Sequence, residues 1–271
     1  MSLDSSHNYM SHFICAENTP SFKDGIPEEI EISMRYRSCM MIQALSKCLS
    51  LPSSPTQTAC YFLHKFYMKH SFKKYDNEVV ILTCLFFAAK CEENPKHLRT
   101  IIRAYDLVKN GVRTDTLDEK SPQFLNIRQQ VFDCERLLMN TLDFDFWVDQ
   151  PDYYLTTFLG RVNASIDFAN TAWAVVRDIF LSPLCIIFSA ETIAVAAIIV
   201  SSVLLELESD ALTMIVKGCT DGEKKVKQAS YAFLDFYSTF LEVKGEEDGE
   251  LSHKLILTEC IPISNECRIL Y

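Results

Sequence analysis

Apolar positions recur at helical spacing along most of the chain. The densest run, Leu82-Thr-Cys-Leu-Phe-Phe-Ala-Ala-Lys-Cys-Glu-Glu-Asn-Pro95, is apolar on nearly every face before it ends in a lysine and two acids. At a period of about 3.6, Leu82, Leu85, Phe86 and Ala89 fall together, and Val79, Thr83, Phe87 and Lys90 form the neighbouring stripe. A helix that is apolar all round is wrapped by others, and Ala88-Ala89 lets a partner backbone cross closely just before Lys90 emerges. Asp76 or Asn77 caps its start, and Pro95 stops it.

Four more helices flank this one. The first opens at Pro27-Glu-Glu-Ile-Glu-Ile, with acids in its first turn, and runs through Ser33 to Leu49, where Leu51-Pro-Ser-Ser-Pro breaks it. The second spans about Thr56 to His70 with Ala59, Phe62, Leu63, Phe66 and Tyr67 as its stripe. The fourth covers Lys96 to Val108, and a polar loop from Lys109 to Gln123 precedes the fifth, Phe124 to Leu142. That fifth helix places Val131, Cys134, Leu138 and Leu142 on its packing side, with Glu135 among them. The pattern then resets: Asp149-Gln-Pro-Asp suits a new helix start. Helices follow over 152–162, 166–181, 190–206, 209–217 and 222–242, again with the most apolar in third place. The recurrence lies in helix order rather than in residue identity, and it predicts an all-α chain of two tandem five-helix bundles. The divisions are 1–32 (leader), 33–148, 149–242 and an acidic tail over 243–271.

Composition narrows the function classes. In 271 residues, 48% are hydrophobic, with only seven glycines and nine prolines, which fits a helical core. A net charge of −10 gives no broad electrostatic footprint for nucleic acid, so direct DNA or RNA binding is disfavoured. The eleven cysteines are scattered through apolar segments with no CxxC pair, as buried reduced thiols are. Neither His64 with His70 nor Cys84 with Cys91 has the companions that zinc requires, so no metal is expected. There is no Gly-rich phosphate loop and no nucleophile with a convergent base, so neither catalysis nor a cofactor is expected. Residues 1–18 lack the basic start and apolar core of a secretory signal, which points to an intracellular protein. Leu184 to Leu205 imitates a membrane span only if Glu191 is included, and the uninterrupted part from Ile193 is too short to cross a bilayer. A central helix of a bundle is expected there. The Lys-Gly-Glu-Glu-Asp-Gly-Glu run from Lys244 reads as a solvated linker, with a partner-docking tail as the alternative.

These motifs together resemble the cyclins, and among them the transcriptional cyclins of the K and T type. The resemblance is carried by Asn18-Thr-Pro-Ser with Asp24-Gly-Ile, by His64-Lys-Phe-Tyr-Met-Lys-His-Ser-Phe, and by Leu85-Phe-Phe-Ala-Ala-Lys-Cys-Glu-Glu-Asn-Pro. Glu135-Arg-Leu-Leu with Leu142-Asp-Phe-Asp-Phe, and Ala172-Trp in the second repeat, extend it from Asn18 to Leu241. It implies two tandem cyclin boxes and a nuclear, non-catalytic subunit that binds a cyclin-dependent serine/threonine kinase. Such a subunit favours the kinase state whose C-helix is swung in, and the complex would act on the repetitive tail of RNA polymerase II.

By the same resemblance, Lys90 and Glu135 hold main-chain groups of the kinase, the alternative being that they only pair with each other at a helix crossing, and Phe86, Cys91, Leu138 and Phe144 add to the kinase-binding surface, with ordinary core the alternative for Phe86 and Phe144. Arg37 matches a structural anchor of the leader segment, and His64 reads as a satisfied buried histidine. Gln43 replaces the tryptophan that lines the substrate-docking groove of cell-cycle cyclins, which argues against recruitment through that groove. His12-Phe13 stands for the aromatic pair of K and T leaders, and with no long tail the chain looks like a minimal member. The alternatives are a cyclin of the C or H type in a Mediator-like or kinase-activating complex, a IIB-like transcription factor core, and a kinase-independent scaffold.

Overall fold

The computed structural model describes residues 19–111, 120–205 and 210–245, and among them every regular element is helical. The chain divides into two compact units, which meet in sequence between Val148 and Asp149.

The first unit opens with a short helix α1 (Pro20–Lys23), capped by the Thr19 hydroxyl, which accepts from the Phe22 N–H at 3.2 Å. Helix α2 (Glu28–Cys48) begins inside the stretch assigned above to the leader, because Glu28, Glu29 and Glu31 suit a helix N-terminus. Helix α3 (Ser53–Lys69) and helix α4 (Asn77–Cys91) follow, the latter capped by Asp76. Helix α5 (Leu98–Asn110) ends at Gly111, whose φ of +63° supplies the left-handed cap that costs a glycine least. In helix α6 (Pro122–Thr141), Pro122 occupies the first turn and the Ser121 hydroxyl accepts from the Phe124 N–H at 3.2 Å.

Helix α4 is the centre of this unit and packs against α2, α3, α5 and α6. From Val79 to Ala89 every residue except Phe86 is buried, and Ala88 and Ala89 are fully so. The all-round apolar pattern is thus accounted for by a helix enclosed by its neighbours. His64 is fully buried, with Nε2 3.3 Å from the Cys39 sulfur and its carbonyl accepting from Arg35.

In the second unit, helix α7 (Pro151–Arg161) and helix α8 (Ile166–Ile179) are followed by a 3₁₀ turn (Pro183–Ile186). Helix α9 (Ala190–Leu204), helix α10 (Asp210–Gly218) and helix α11 (Gly222–Gly245) complete it. Here α9 is central and packs against α7, α8 and α11, with Ile193 to Ile198 buried throughout. The stretch that resembles a membrane span is therefore two separate elements, and the Glu191 carboxylate accepts from the Thr220 N–H at 3.2 Å. No helix among the described residues is long and apolar enough to cross a membrane. Residues 1–18, with His12-Phe13, and the acidic run after Gly245 lie outside the described residues, as does most of the polar loop before α6.

Candidate kinase-binding site

The packing of α4 against α6 brings Lys90 and Glu135 together. Lys90 Nζ donates to Glu135 Oε1 at 2.5 Å, with the lysine side chain 40% exposed and the glutamate 13%. An ion pair of this exposure adds at most about 1 kcal/mol to stability, so the pair matters more for what it presents outward. One of the three ammonium donors is engaged by Glu135, and the remaining two are available to a partner. Lys90 Nζ also sits 4.0 Å from the centroid of the Phe86 ring, one turn back on α4, a cation–π contact that fixes the lysine stem.

The end of α4 is held from below. The Glu92 carboxylate accepts from Ser54 Oγ and, at 2.7 Å, from Thr58 Oγ1, both on the first turns of α3. Glu93 then adopts φ +55°, and the Asn94 N–H reaches back to the Ala89 carbonyl at 2.8 Å. This left-handed closure satisfies carbonyls at the end of the helix just beyond Lys90. Cys91, half-buried beside the pair, has a thiol pushed up by burial, so it is an uncharged part of the surface.

Phe144 reaches solvent by a different device. After α6, Asp143 and Phe144 take φ values of +53° and +60°, a conformation that L-residues adopt at a cost of about 1 kcal/mol or more each. Lys69 Nζ braces this turn by donating to the Thr141 carbonyl and to Asp143 Oδ2, both at 2.8 Å. The result is a Phe144 ring 64% exposed, 6.1 Å from Phe146, which in turn packs edge-on against Phe87 at 5.0 Å.

Two sequence assignments are corrected. Leu138 is fully buried on the stripe it shares with Val131 and Cys134, so it belongs to the core and not to a binding surface. Arg37 is exposed, because it lies on the outer face of α2. The anchoring arginine is Arg35, 1% exposed, with Nε and Nη2 donating to Glu31 Oε1 at 2.9 and 2.6 Å and Nη1 donating to the His64 carbonyl at 3.1 Å. The other oxygen of Glu31 accepts from Thr19 Oγ1 at 2.7 Å, which ties α1 to α2. Sequence reasoning also passed over Phe132, 6.4 Å from Phe86, and Arg128, whose guanidinium lies 5.3 Å from the Phe132 ring centroid. Their spacing of four and three residues from one another and from Glu135 was the available signal.

With this geometry in place, comparison with known proteins identifies the family. The model of the cyclin N-terminal domain matches residues 5–146, just over half of the chain. The chain belongs to the cyclin family. Cyclin pch1 of Schizosaccharomyces pombe is 32% identical over 180 residues, which is 66% of this cyclin and 53% of that one. Cyclin-L1-1 of Arabidopsis thaliana is 29% identical, over 65% of this chain and 43% of its own length. Human Cyclin-T2 is 29% identical over 67% of this chain but 25% of its own. This cyclin thus spans about half the length of pch1 and less of the other two. Among solved structures, a chain of the yeast RNA Pol II CTD kinase CTDK-1 complex superposes with a TM-score of 0.67 at 18% identity, covering 94% of this chain and 87% of that one. A chain of the yeast TFIIK (Kin28/Ccl1/Tfb3) complex gives 0.57 at 15% identity, covering 79% and 89%. These likenesses at low identity establish the fold, two helical units built around α4 and α9.

Proposed function

We propose that this cyclin is the non-catalytic, regulatory subunit of a nuclear cyclin-dependent serine/threonine kinase that phosphorylates the repetitive tail of RNA polymerase II. The observation that carries the reading is the Lys90–Glu135 pair, held at the surface by a capped α4 and flanked by Phe86 and by the outward-turned Phe144. The names of its relatives, pch1, L1 and T2, and the fold it shares with a chain of an RNA Pol II CTD kinase complex support the choice of a transcriptional kinase.

The mechanism is a shift of a two-state equilibrium. A kinase whose C-helix is swung out cannot pair its glutamate with the lysine that holds the nucleotide phosphates. Lys90 donates to main-chain carbonyls and Glu135 accepts from main-chain N–H groups at the edge of that helix only when it is swung in. Hydrogen bonds to charged groups contribute about 1.5–3 kcal/mol each, so two or three of them move an equilibrium by two decades or more. Phe86, Cys91 and Phe144 supply the apolar contact that excludes water from these bonds and strengthens them.

The test is a pull-down from nuclear extract with the wild-type chain and with a Lys90→Ala, Glu135→Ala double variant, assayed on a polymerase-tail peptide. Wild type should retain a kinase active on the peptide, and the folded double variant should lose it. Mass spectrometry of the retained kinase separates this reading from a C- or H-type cyclin. Equal retention by the variant would overturn the assigned surface.

A further inference from the structure

Beyond Lys90 and Glu135 a second cation and a second ring continue the same surface. Lys90 lies over Phe86 at 4.0 Å, Phe86 is 6.4 Å from Phe132, and Arg128 lies over Phe132 at 5.3 Å. The two half-buried rings form the middle of a stripe, and an exposed cation closes each end. From end to end the stripe is no longer than about 16 Å, the length of three helical turns.

The ends differ in charge. Lys90 is neutralised by Glu135, whereas Arg128, among the described residues, contacts the Phe132 ring. In a chain of net charge −10, this is a local positive end on an apolar strip that is continuous with the proposed kinase surface. The Arg128 guanidinium lies over the Phe132 ring, and the planar fork of an arginine matches a carboxylate in bidentate fashion.

We propose that Arg128 and Phe132 extend the kinase surface and set partner choice, by receiving an amphipathic kinase helix that lays an apolar side chain across Phe86 and Phe132 and points an Asp or Glu at Arg128. The inference rests on the kinase-subunit reading and deepens it. Lys90 and Glu135 recognise main chain, which every kinase of the class offers alike. Arg128 reads a side chain, which differs between kinases, and so discriminates by charge.

The test uses the kinase recovered with the wild-type chain, produced recombinantly and titrated against the full chain. Arg128→Glu should weaken binding at least tenfold at physiological salt and remove part of its salt dependence, and Phe132→Ala should weaken binding by a similar factor. Both variants should melt within a few degrees of wild type, and Arg128→Lys should lose less than Arg128→Glu. Reversal to Lys of the kinase acid that cross-links nearest should restore binding to Arg128→Glu. If Arg128→Glu and Phe132→Ala bind within twofold of wild type while the Lys90, Glu135 double variant does not, this extension is wrong and the subunit reading stands. If the double variant also binds as wild type, both fail. If Arg128→Glu leaves kinase binding intact but turns a self-associating chain monomeric, the stripe contacts a second copy and the proposal is overturned.

Discussion

Removing Arg35 should unfold the first unit's anchor, and the size of the effect follows from its surroundings. The guanidinium and the Glu31 carboxylate are 1% and 6% exposed, so neither charge is solvated by water. Arg35→Ala leaves Glu31 with the Thr19 hydroxyl as a side-chain donor but no countercharge from Arg35, and it removes the 3.1 Å donor of the His64 carbonyl. It also empties space where the guanidinium stands 5.9 Å from both the Tyr67 and Phe72 rings. Breaking a buried pair from one side costs about 3–5 kcal/mol, a large fraction of the stability of a domain. Urea unfolding followed by circular dichroism on Arg35→Ala, Glu31→Ala and the double variant gives the coupling directly. The double variant should lose about 2 kcal/mol less than the sum of the singles, since no uncompensated charge remains. Arg37→Ala, on the exposed face, should change stability by less than about 0.5 kcal/mol. If Arg37→Ala cost as much as Arg35→Ala, or Arg35→Ala cost under about 1 kcal/mol, the anchor would be misassigned.

Asp178 on α8 is pushed up to about 7 by burial, against the opposing effects of the Tyr237 hydroxyl at 3.1 Å and of Arg177. Its folded pKa exceeds its unfolded value, so its contribution is fully present below about pH 4 and is lost as pH rises through about 7. Asp178→Asn should therefore stabilise the protein by the order of 1–3 kcal/mol at pH 8 relative to its effect at pH 4, measured as melting temperature against pH; no pH dependence of the difference would refute this. Leu138→Ala, in the fully buried stripe, should cost about 2–5 kcal/mol, while Phe144→Ala should leave stability nearly unchanged and weaken kinase binding several-fold.

Much of the helical order was legible because burial repeats with the period of a helix. The enclosed helices α4 and α9 are visible as apolar on all faces, and Lys90 as the charge that ends the first of them. What periodicity does not separate is core from interface. Leu138 and Phe86 both sit among apolar neighbours, and only the tertiary packing leaves one fully buried and the other half-open. The anchor was misassigned by matching a family position, although Glu31 and Arg35 stand four apart and face each other on a helix. The left-handed turn at Asp143 and Phe144 had little sequence signal, since aspartate enters that conformation only occasionally, phenylalanine rarely, and the brace, Lys69, lies 74 residues away. The Arg128–Phe132 stripe was hidden for the related reason that its continuation, Phe86, comes from another helix.

Kinase activation by this cyclin is read by titrating the purified kinase partner with it and following phosphorylation of a polymerase-tail peptide. Activity should rise saturably from a low baseline with the wild-type chain. With the Lys90→Ala, Glu135→Ala variant, the midpoint should shift to at least tenfold higher concentration while the variant's melting curve is nearly unchanged. A kinase equally active without the cyclin, or activated equally by both forms, would contradict activation through this pair.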